Sequence, residues 1–556
     1  MKIKYFAIAV LGVFLTLTSC DDFLDKIPDT RVELNTPEQL RLLLVNGYPN
    51  QNIALMCELS SDNYIDNNST DPKSGARFNL PAYDKVDDEI FAWEEAKSSI
   101  SGDSPSALWE SSYHAIAVAN EVIARIPYFE AQGKGDEVKP MLGEALVIRA
   151  YNHFLLANLF CQGYRGPEMS KTMQGIPYME KPETTVRVEY ARLDLQTVYE
   201  KIEQDLIAGL EKIDDNIYEQ PKYHFNKAAA NAFAARFYLF TRQYDKCLEH
   251  ANLAFGGVDV NVSMMLSDIW SKEFTSPDLI AQHWISVTQP HNFLIVPTYS
   301  VFHRRFGKRY TINRDGAKAS CYGPGPVWTA YNFHPCYSGK LYISGSQEYG
   351  VYFPKNCELF EYTNKVAGIG YPHIVRAEFT AEETLLTRAE AKLYLGDKEG
   401  ALADLNLWLG ARNNNTTSAK LDPLTHESIK AFYIDRNPNY LFGIVKPINV
   451  DKFCPSDKYT LTDDMVGMMQ CIQHFRRMET ITDGYRWFDI KRLGLEIEHQ
   501  IGKDNVIKKL TYDDPRKAFQ IPAEVIAAGM EPTKRELVKK AAPAVKANAS
   551  YIPNNE

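Results

Sequence analysis

The chain has 556 residues, of which 45% are hydrophobic, 24% charged and 12% aromatic, and it carries a formal charge of −10. That composition excludes disorder, collagen-like sequence and a coiled-coil rod. An acidic chain lacks the basic surface that phosphate neutralisation requires, so no nucleic-acid partner is expected. A single long apolar run excludes a multi-span membrane protein, and at roughly 100–200 residues per domain the length alone allows three or so domains.

The apolar run is amino-terminal. Lys2 and Lys4 precede Tyr5–Leu17, whose only polar members are Tyr5 and Thr16. A spanning helix needs about 20 apolar residues, so this segment reads as a secretory signal rather than a membrane span. It ends in Leu17-Thr18-Ser19-Cys20, which resembles the lipobox of bacterial lipoproteins. The resemblance implies cleavage after residue 19 and acylation of Cys20, and several acyl chains make attachment effectively permanent. Removing residues 1–19 takes away two lysines and no acids and leaves a charge of −12. Asp21, Asp22 and Asp25 follow closely; in lipoproteins of this kind an acidic patch there accompanies export to the outer face. None of the remaining cysteines forms a C-x-x-C pair, Cys161 and Cys247 read as small buried hydrophobes, and Cys321 with Cys336 is one candidate disulfide.

Residues 20–35 read as a tether. Thr36-Pro37-Glu38 opens the first helix, with Thr as N-cap and Pro at the first helical position. Helical periodicity then predicts helices over 106–126, 137–160, 194–213 and 226–240, and again over 381–395, 398–409 and 461–478. Two helix pairs share one grammar. Ala235–Leu239 is followed after a break by Cys247 and Ala251, and Ala391–Leu395 is followed after Gly396-Asp397 by Ala401 and Leu405. Small residues facing each other let two helices approach, as in tetratricopeptide hairpins. Between 57–103 and 263–379 helical periodicity fades, and residues 293–372 hold 17 Phe, Tyr or Trp in 80 positions.

Four blocks carry a family resemblance. Cys20-Asp-Asp-Phe-Leu-Asp25-Lys-Ile-Pro28, Gly143–Phe154 with Arg149 and Ala150, Arg476–Glu479 with Asp483–Arg492, and Asp514–Pro522 occur in order and resemble SusD/RagB-type outer-membrane lipoproteins. The resemblance implies a mostly α fold, a SusD-like superhelix of tetratricopeptide-like hairpins with irregular, aromatic-rich insertions. It divides the chain into a signal peptide (1–19), the tether, one domain (36–542) and a tail (543–556). Within that domain the helical scaffold covers about 36–56, 104–260 and 380–500, the insertions cover 57–103 and 263–379, and a closing segment runs over 505–530. It also implies a non-catalytic, lipid-anchored surface protein that captures a glycan and delivers it to a SusC-like TonB-dependent transporter. The charges of the carboxy-terminal block read independently as an ion-pair network pinning the last helices.

Sugar rings lie against aromatic faces while their hydroxyls take short polar partners, so the candidate ligand residues are Asp62, Asn63, Tyr64 and Trp93 in the first insertion and Trp270, Trp284, Tyr299, Arg304 and Trp328 in the second. Arg304-Arg305 with Lys308-Arg309 forms a basic cluster that meets either an anionic sugar or neighbouring carboxylates. Asp62–Asp71 is oxygen-rich; it reads as an Asx-capped turn, the alternative being calcium, although the glycine of an EF-hand loop is lacking. No other cofactor or metal is expected. A broad aromatic groove suits a peptide as well as a glycan. A carboxylate glycoside hydrolase is the enzyme alternative, without any supporting motif.

Overall fold

The first helix, α1 (Pro37–Leu44), begins as its sequence dictates. Thr36 accepts from the Gln39 amide, and the Gln39 side chain closes a capping box back onto the Thr36 N–H. The computed structural model describes residues 34–536 apart from 71–74, 76, 101, 184–189, 270–271, 273, 319, 321–322, 330–342, 345–349, 413–420 and 438–442. The signal peptide, Cys20, Trp270, the Cys321–Cys336 pair and the tail from 543 therefore lie outside the described residues. Among the described residues no helix is long and apolar enough to cross a membrane.

The two longest helices are α2 (Pro105–Ala131) and α3 (Gly135–Phe160). Helix α3 is buried on nearly all of its surface from Val138 to Phe160, as its continuous apolar sequence requires. It lies between α2 and α4 (Leu195–Leu210). The α3–α4 contact is close because glycine faces glycine. A Cβ at Gly209 would stand 2.7 Å from Val147 and 2.8 Å from the Gly143 carbonyl, and one at Gly143 would stand 2.8 Å from the Ile213 amide. The polar residues of α3 reach sideways. Glu144 accepts from Tyr48 (2.7 Å) and Tyr218 (2.9 Å), and Arg149 pairs with Asp205 at 2.6 Å.

The two expected hairpins form. Helices α5 (Lys227–Phe240) and α6 (Tyr244–Ala254) make one, and farther along the chain a second pair makes the other. Before that pair the chain passes through helix α7 (Pro277–Trp284), strand β1 (Asn292–Tyr299) and the strands β2 (Leu359–Asn364) and β3 (Ile369–Thr380). The second hairpin is α8 (Ala381–Tyr394) with α9 (Lys398–Arg412). Ala235, Ala251, Ala391 and Ala401 are all buried, and Tyr244 stacks on Tyr394 at 4.2 Å to join one hairpin to the other.

The insertion expected to be irregular instead contains an antiparallel sheet in the order β1-β3-β2. Its register pairs Tyr299 with His373, and Glu361 with Tyr371. Strand β3 runs without a break into α8, whose N-cap Thr380 accepts from the Glu383 amide at 3.3 Å. The first insertion is fastened to the second by the pairing of Ile65–Asp66 with Tyr310–Thr311.

Helices α10 (Asp463–Glu479) and α11 (Tyr485–Arg492) are buried almost throughout. Their charges form the network that the sequence block implies. Arg412 pairs with Glu479 at 2.6 Å, Arg476 with Glu383 and Asp489 at 3.3 Å each, and Arg492 with Asp489 at 2.7 Å and with Glu390 at 2.8 Å. Gly484, at φ 87°, makes the turn between the two helices in a conformation that a side chain would resist. The last described segment closes onto α3. The Phe519 amide donates to the Leu159 carbonyl at 2.8 Å, and Lys491 donates to the carbonyls of Asn158 and Cys161. Burial lowers the Lys491 pKa to about 8.

Replacing Gly209 by Val is expected to force α4 away from α3 and to destabilise the fold by about 1–3 kcal/mol, the usual penalty of overpacking. A drop in the chemical denaturation midpoint measures it. A second expectation concerns acid. Burial, aided at His474 by Arg477 and Arg486, holds His153, His291 and His474 neutral, with pKa values lowered to about 3. In the unfolded chain the same rings take up protons near 6.5. Their contribution is therefore present above pH 6.5 and lost as the pH falls towards 3. Glu58, raised to about 7 by burial, acts in the opposite direction between 4.5 and 7. In His474→Gln the midpoint should fall less steeply between pH 6.5 and 4 than in the parent chain; equal slopes would contradict the assignment.

Candidate functional site

Most of the side chains chosen from the sequence are interior. Asp62 takes a two-pronged contact from Arg486 at 2.8 and 3.0 Å and lies 3.4 Å from Lys446. Burial opposes its charge, yet Arg477, Arg486 and Lys446 together hold its carboxyl well below the ordinary range. Asn63 bridges Glu58 and Arg477 at 2.8 Å on each side. Tyr64 is buried. Trp93 is buried, stacks on His499 at 4.1 Å and donates its indole N–H to the Ser60 carbonyl. Phe91 covers the other side of the same imidazole, also at 4.1 Å. Trp284, 1% exposed, sits in a satellite core with Ile269 and Ile280. Trp328 donates to the Gly323 carbonyl and packs beside His474 and Phe475 of α10.

The expectation that these aromatics face solvent is thus corrected for Tyr64, Trp93, Trp284 and Trp328. Each is a large apolar group for which burial is the stronger tendency, and Trp93 and Trp328 satisfy their indole N–H groups internally. Asp62 and Asn63 are likewise committed to partners inside the protein.

The basic cluster is resolved in the same way. Arg304 forks onto Glu358 at 2.8 and 2.7 Å, Arg305 reaches Asp87 at 3.2 Å, and Arg309 reaches Asp66 at 2.8 Å and Asp88 at 2.9 Å. The Arg305 and Arg309 pairs fasten the two insertions to one another, while Arg304–Glu358 lies within the second. The oxygen-rich run forms the expected Asx turn, with the Asn68 amide donating to Asp66 at 2.9 Å. Among the described residues no group of three or more His, Cys, Asp or Glu side chains is placed to hold a metal.

Tyr299 and Arg304 remain at the surface, and around them the structure gathers aromatics that the sequence reading did not single out. Tyr299 meets Tyr371 edge to face at 5.7 Å. Directly paired residues share a face of a sheet and alternate residues return to it, so Tyr299, His373, Tyr371 and Glu361 line one side of the hairpin. Phe360 and Tyr362, 4.8 Å apart, line the other. Gly370 allows this, since a Cβ there would stand 2.8 Å from the Phe360 ring. Tyr371 is 55% exposed and Tyr362 51%.

Beyond the hairpin the aromatic surface continues. Phe306 and His303 pack on Tyr352 at 5.6 and 4.8 Å, and Arg305 lies over the ring of Tyr83 at 4.3 Å. Burial lowers the His303 pKa, against the pull of Glu358 and Asp278. The assembly presents ring faces and edges beside Arg304, Glu358, His303 and Asn364, a mixture suited to a ligand with both C–H patches and hydroxyls. A sequence signal for it existed. Phe360-Glu-Tyr362-Thr-Asn364, then Gly368-Ile-Gly-Tyr371, is an alternating hairpin pattern around a turn.

Comparisons with known proteins agree with this architecture. Residues 22–239 match a SusD-like family model described as starch-binding and associating with the outer membrane, and residues 327–531 match the SusD family model. No curated protein matches the chain. A SusD superfamily protein of Bacteroides fragilis is 16% identical, with a TM-score of 0.57 over 89% of this chain and 98% of its own. One from Bacteroides thetaiotaomicron is 17% identical, with a TM-score of 0.55 over 90% and 100%. A laminarin-binding SusD-like protein is 15% identical, with a TM-score of 0.51 over 90% and 98%. At such identities the likeness is one of fold. The two family models, matching in chain order over most of the sequence, place the protein in the SusD/RagB family.

Proposed function

We propose that this protein is a non-catalytic, lipid-anchored surface lipoprotein that captures a glycan on the β2–β3 hairpin and the adjoining loops, and hands it to a SusC-like TonB-dependent outer-membrane transporter. The observation that carries the reading is the set of exposed rings, Tyr371 with Tyr299 of the adjoining β1 on one face and Phe360 with Tyr362 on the other, on a hairpin continuous with a buried helix. A rigidly held aromatic platform with polar neighbours loses little entropy when a flexible oligosaccharide settles on it. The family description of starch binding at the outer membrane and the laminarin-binding relative support the ligand class. Cys20, in its lipobox context, supplies the anchor.

The absence of a catalytic role is part of the proposal. Hydrolysis needs two carboxyl groups facing one bond. On this face Glu358 is held by Arg304 in a two-pronged ion pair. A peptide is the second reading, favoured by one feature: β2 is an edge strand exposed along most of its length, to which an extended chain could pair.

Titration of the soluble chain with a panel of polysaccharides, beginning with laminarin and starch, tests the site. Tyr371→Ala and Tyr299→Ala should each weaken binding roughly fivefold, corresponding to about 1 kcal/mol per ring contact, with the denaturation midpoint unchanged. Trp284→Ala should instead lower stability by about 3–5 kcal/mol. Unchanged affinity in both tyrosine variants would remove the hairpin as the site. New reducing ends released from any bound glycan would overturn the non-catalytic assignment, and binding of unstructured peptides but of no glycan would favour the second reading.

A further inference from the structure

A lysine, an aspartate and a glutamate meet in the interior where the chain enters the hairpin. Lys355 lies just before β2, and its side chain is buried. Its Nζ donates to the Glu479 carbonyl at 2.7 Å and to the carboxyl of Asp483, which is buried in the turn between α10 and α11. The Trp284 ring, centred 5.2 Å from Nζ, walls the pair on one side. Glu58 has no solvent exposure and closes on the same turn. Its Oε1 accepts from the amide of Gly484, the residue after Asp483, at 3.0 Å. The turn is fixed for this contact. Thr482 stands at φ 68°, a left-handed conformation that a β-branched residue rarely adopts, and Asn356 holds it by donating to the Thr482 carbonyl at 2.6 Å. Lys355 and Asn356 thus grip Asp483 and Thr482 as neighbouring pairs. Backbone strain kept in place by surrounding contacts is a mark of functional positions.

Burial disfavours charge here. It pushes the Asp483 carboxyl up, against the opposing pull of Lys355 and Arg376, and it pushes Glu58 up to about 7. An amine in contact with a carboxylic acid is the pair from which an amide forms. Groups held in reacting contact experience effective molarities that reach about 10⁵ M or more, and a dry site keeps the released water from returning. We propose that Lys355 and Asp483 join in an intramolecular isopeptide bond, with Glu58 carrying the proton. The neutral Nζ attacks Cγ of Asp483, the Nζ–Cγ bond forms, and the bond from Cγ to its hydroxyl oxygen breaks. Glu58 takes one proton from Nζ and returns it to the departing hydroxyl, which leaves as water. Nothing is oxidised or reduced. The one N–H left on the amide keeps the Glu479 carbonyl as its acceptor. The bond closes a covalent loop from residue 355 to residue 483 and ties the foot of the hairpin to the turn between the two buried helices. Neither the lipid anchor nor the glycan enters the step.

Mass spectrometry of the soluble chain, folded at neutral pH and then denatured and reduced, tests the bond. The intact mass should fall short of the sequence mass by one water, and digestion should release a branched peptide containing both Lys355 and Asp483. Lys355→Met, which removes the nucleophile and keeps the length, should show the full mass. Glu58→Gln keeps an acceptor for the Gly484 amide and leaves Lys355 beside Asp483. Chain recovered unfolded and then refolded should close the bond at least tenfold more slowly in Glu58→Gln than in the parent. The parent chain alone decides the central point if a variant fails to fold. Full mass in the folded parent after days at neutral pH would overturn the proposal. So would a missing water without the branched peptide, which is the signature of a cyclic imide at Asp483-Gly484. Closure of Glu58→Gln at the parent rate would overturn the role given to Glu58.

Discussion

The buried charges of α10 and α11 are the constraint on which the remaining structure depends. Arg476, Arg477, Glu479, Arg486, Asp489 and Arg492 lie in the interior, where an unpaired charge costs several kcal/mol. Each must find a partner, and the partners come from distant parts of the chain. Asp62 and Asn63 come from the first insertion, Glu383 and Glu390 from α8, and Arg412 from α9. Removing one member strands its partner, at a typical cost of 3–5 kcal/mol. The arrangement therefore acts less as a source of net stability than as a condition: the insertions cannot shift relative to the helices without leaving buried charge unpaired.

That condition explains how an extended surface hairpin can be held in place. A two-stranded ribbon is marginal by itself. Here β3 passes without interruption into α8, Arg376 near its end forms an ion pair with Glu378 at 3.0 Å, and Tyr151 and Tyr485 both donate to Glu378. The buried half of β3 is thus clamped by α3 and α11, while the half beyond His373 projects outward. Both faces of that outer half carry rings, which a strand buried on either side could not display.

Much of the scaffold was legible in the sequence because helices announce themselves by periodicity and caps. Thr36-Pro37, the alanines of the two hairpins and the apolar length of α3 all led to the observed elements. The carboxy-terminal block was legible in kind, since opposite charges beside a packing face have little choice but to pair. What was not legible was the sheet, because β1 and β3 are about 75 residues apart along the chain and no local pattern announces their pairing. The exposure of the candidate aromatics differs from the sequence expectation for a physical reason. Tryptophan offers a broad face to a sugar, yet the same apolar area makes it an effective filler for a core. Trp93, whose ring helps enclose His499, and Trp328, turned in against α10, follow the second tendency. The tyrosines of the hairpin, each with a hydroxyl that water can satisfy, are the rings the fold leaves outside.

The same division bears on how one scaffold can serve different ligands. Substitutions at exposed positions usually change stability by less than about 0.5 kcal/mol, whereas the buried pairs tolerate almost no change of charge. Residues 359–371 can therefore alter while Arg412–Glu479 or Arg486–Asp62 stays in place. Identities of 12–17% to the solved relatives, over about nine-tenths of the chain, are what such a division permits: an interior that fixes the fold, and a hairpin whose side chains are held in position by that interior without being chosen by it.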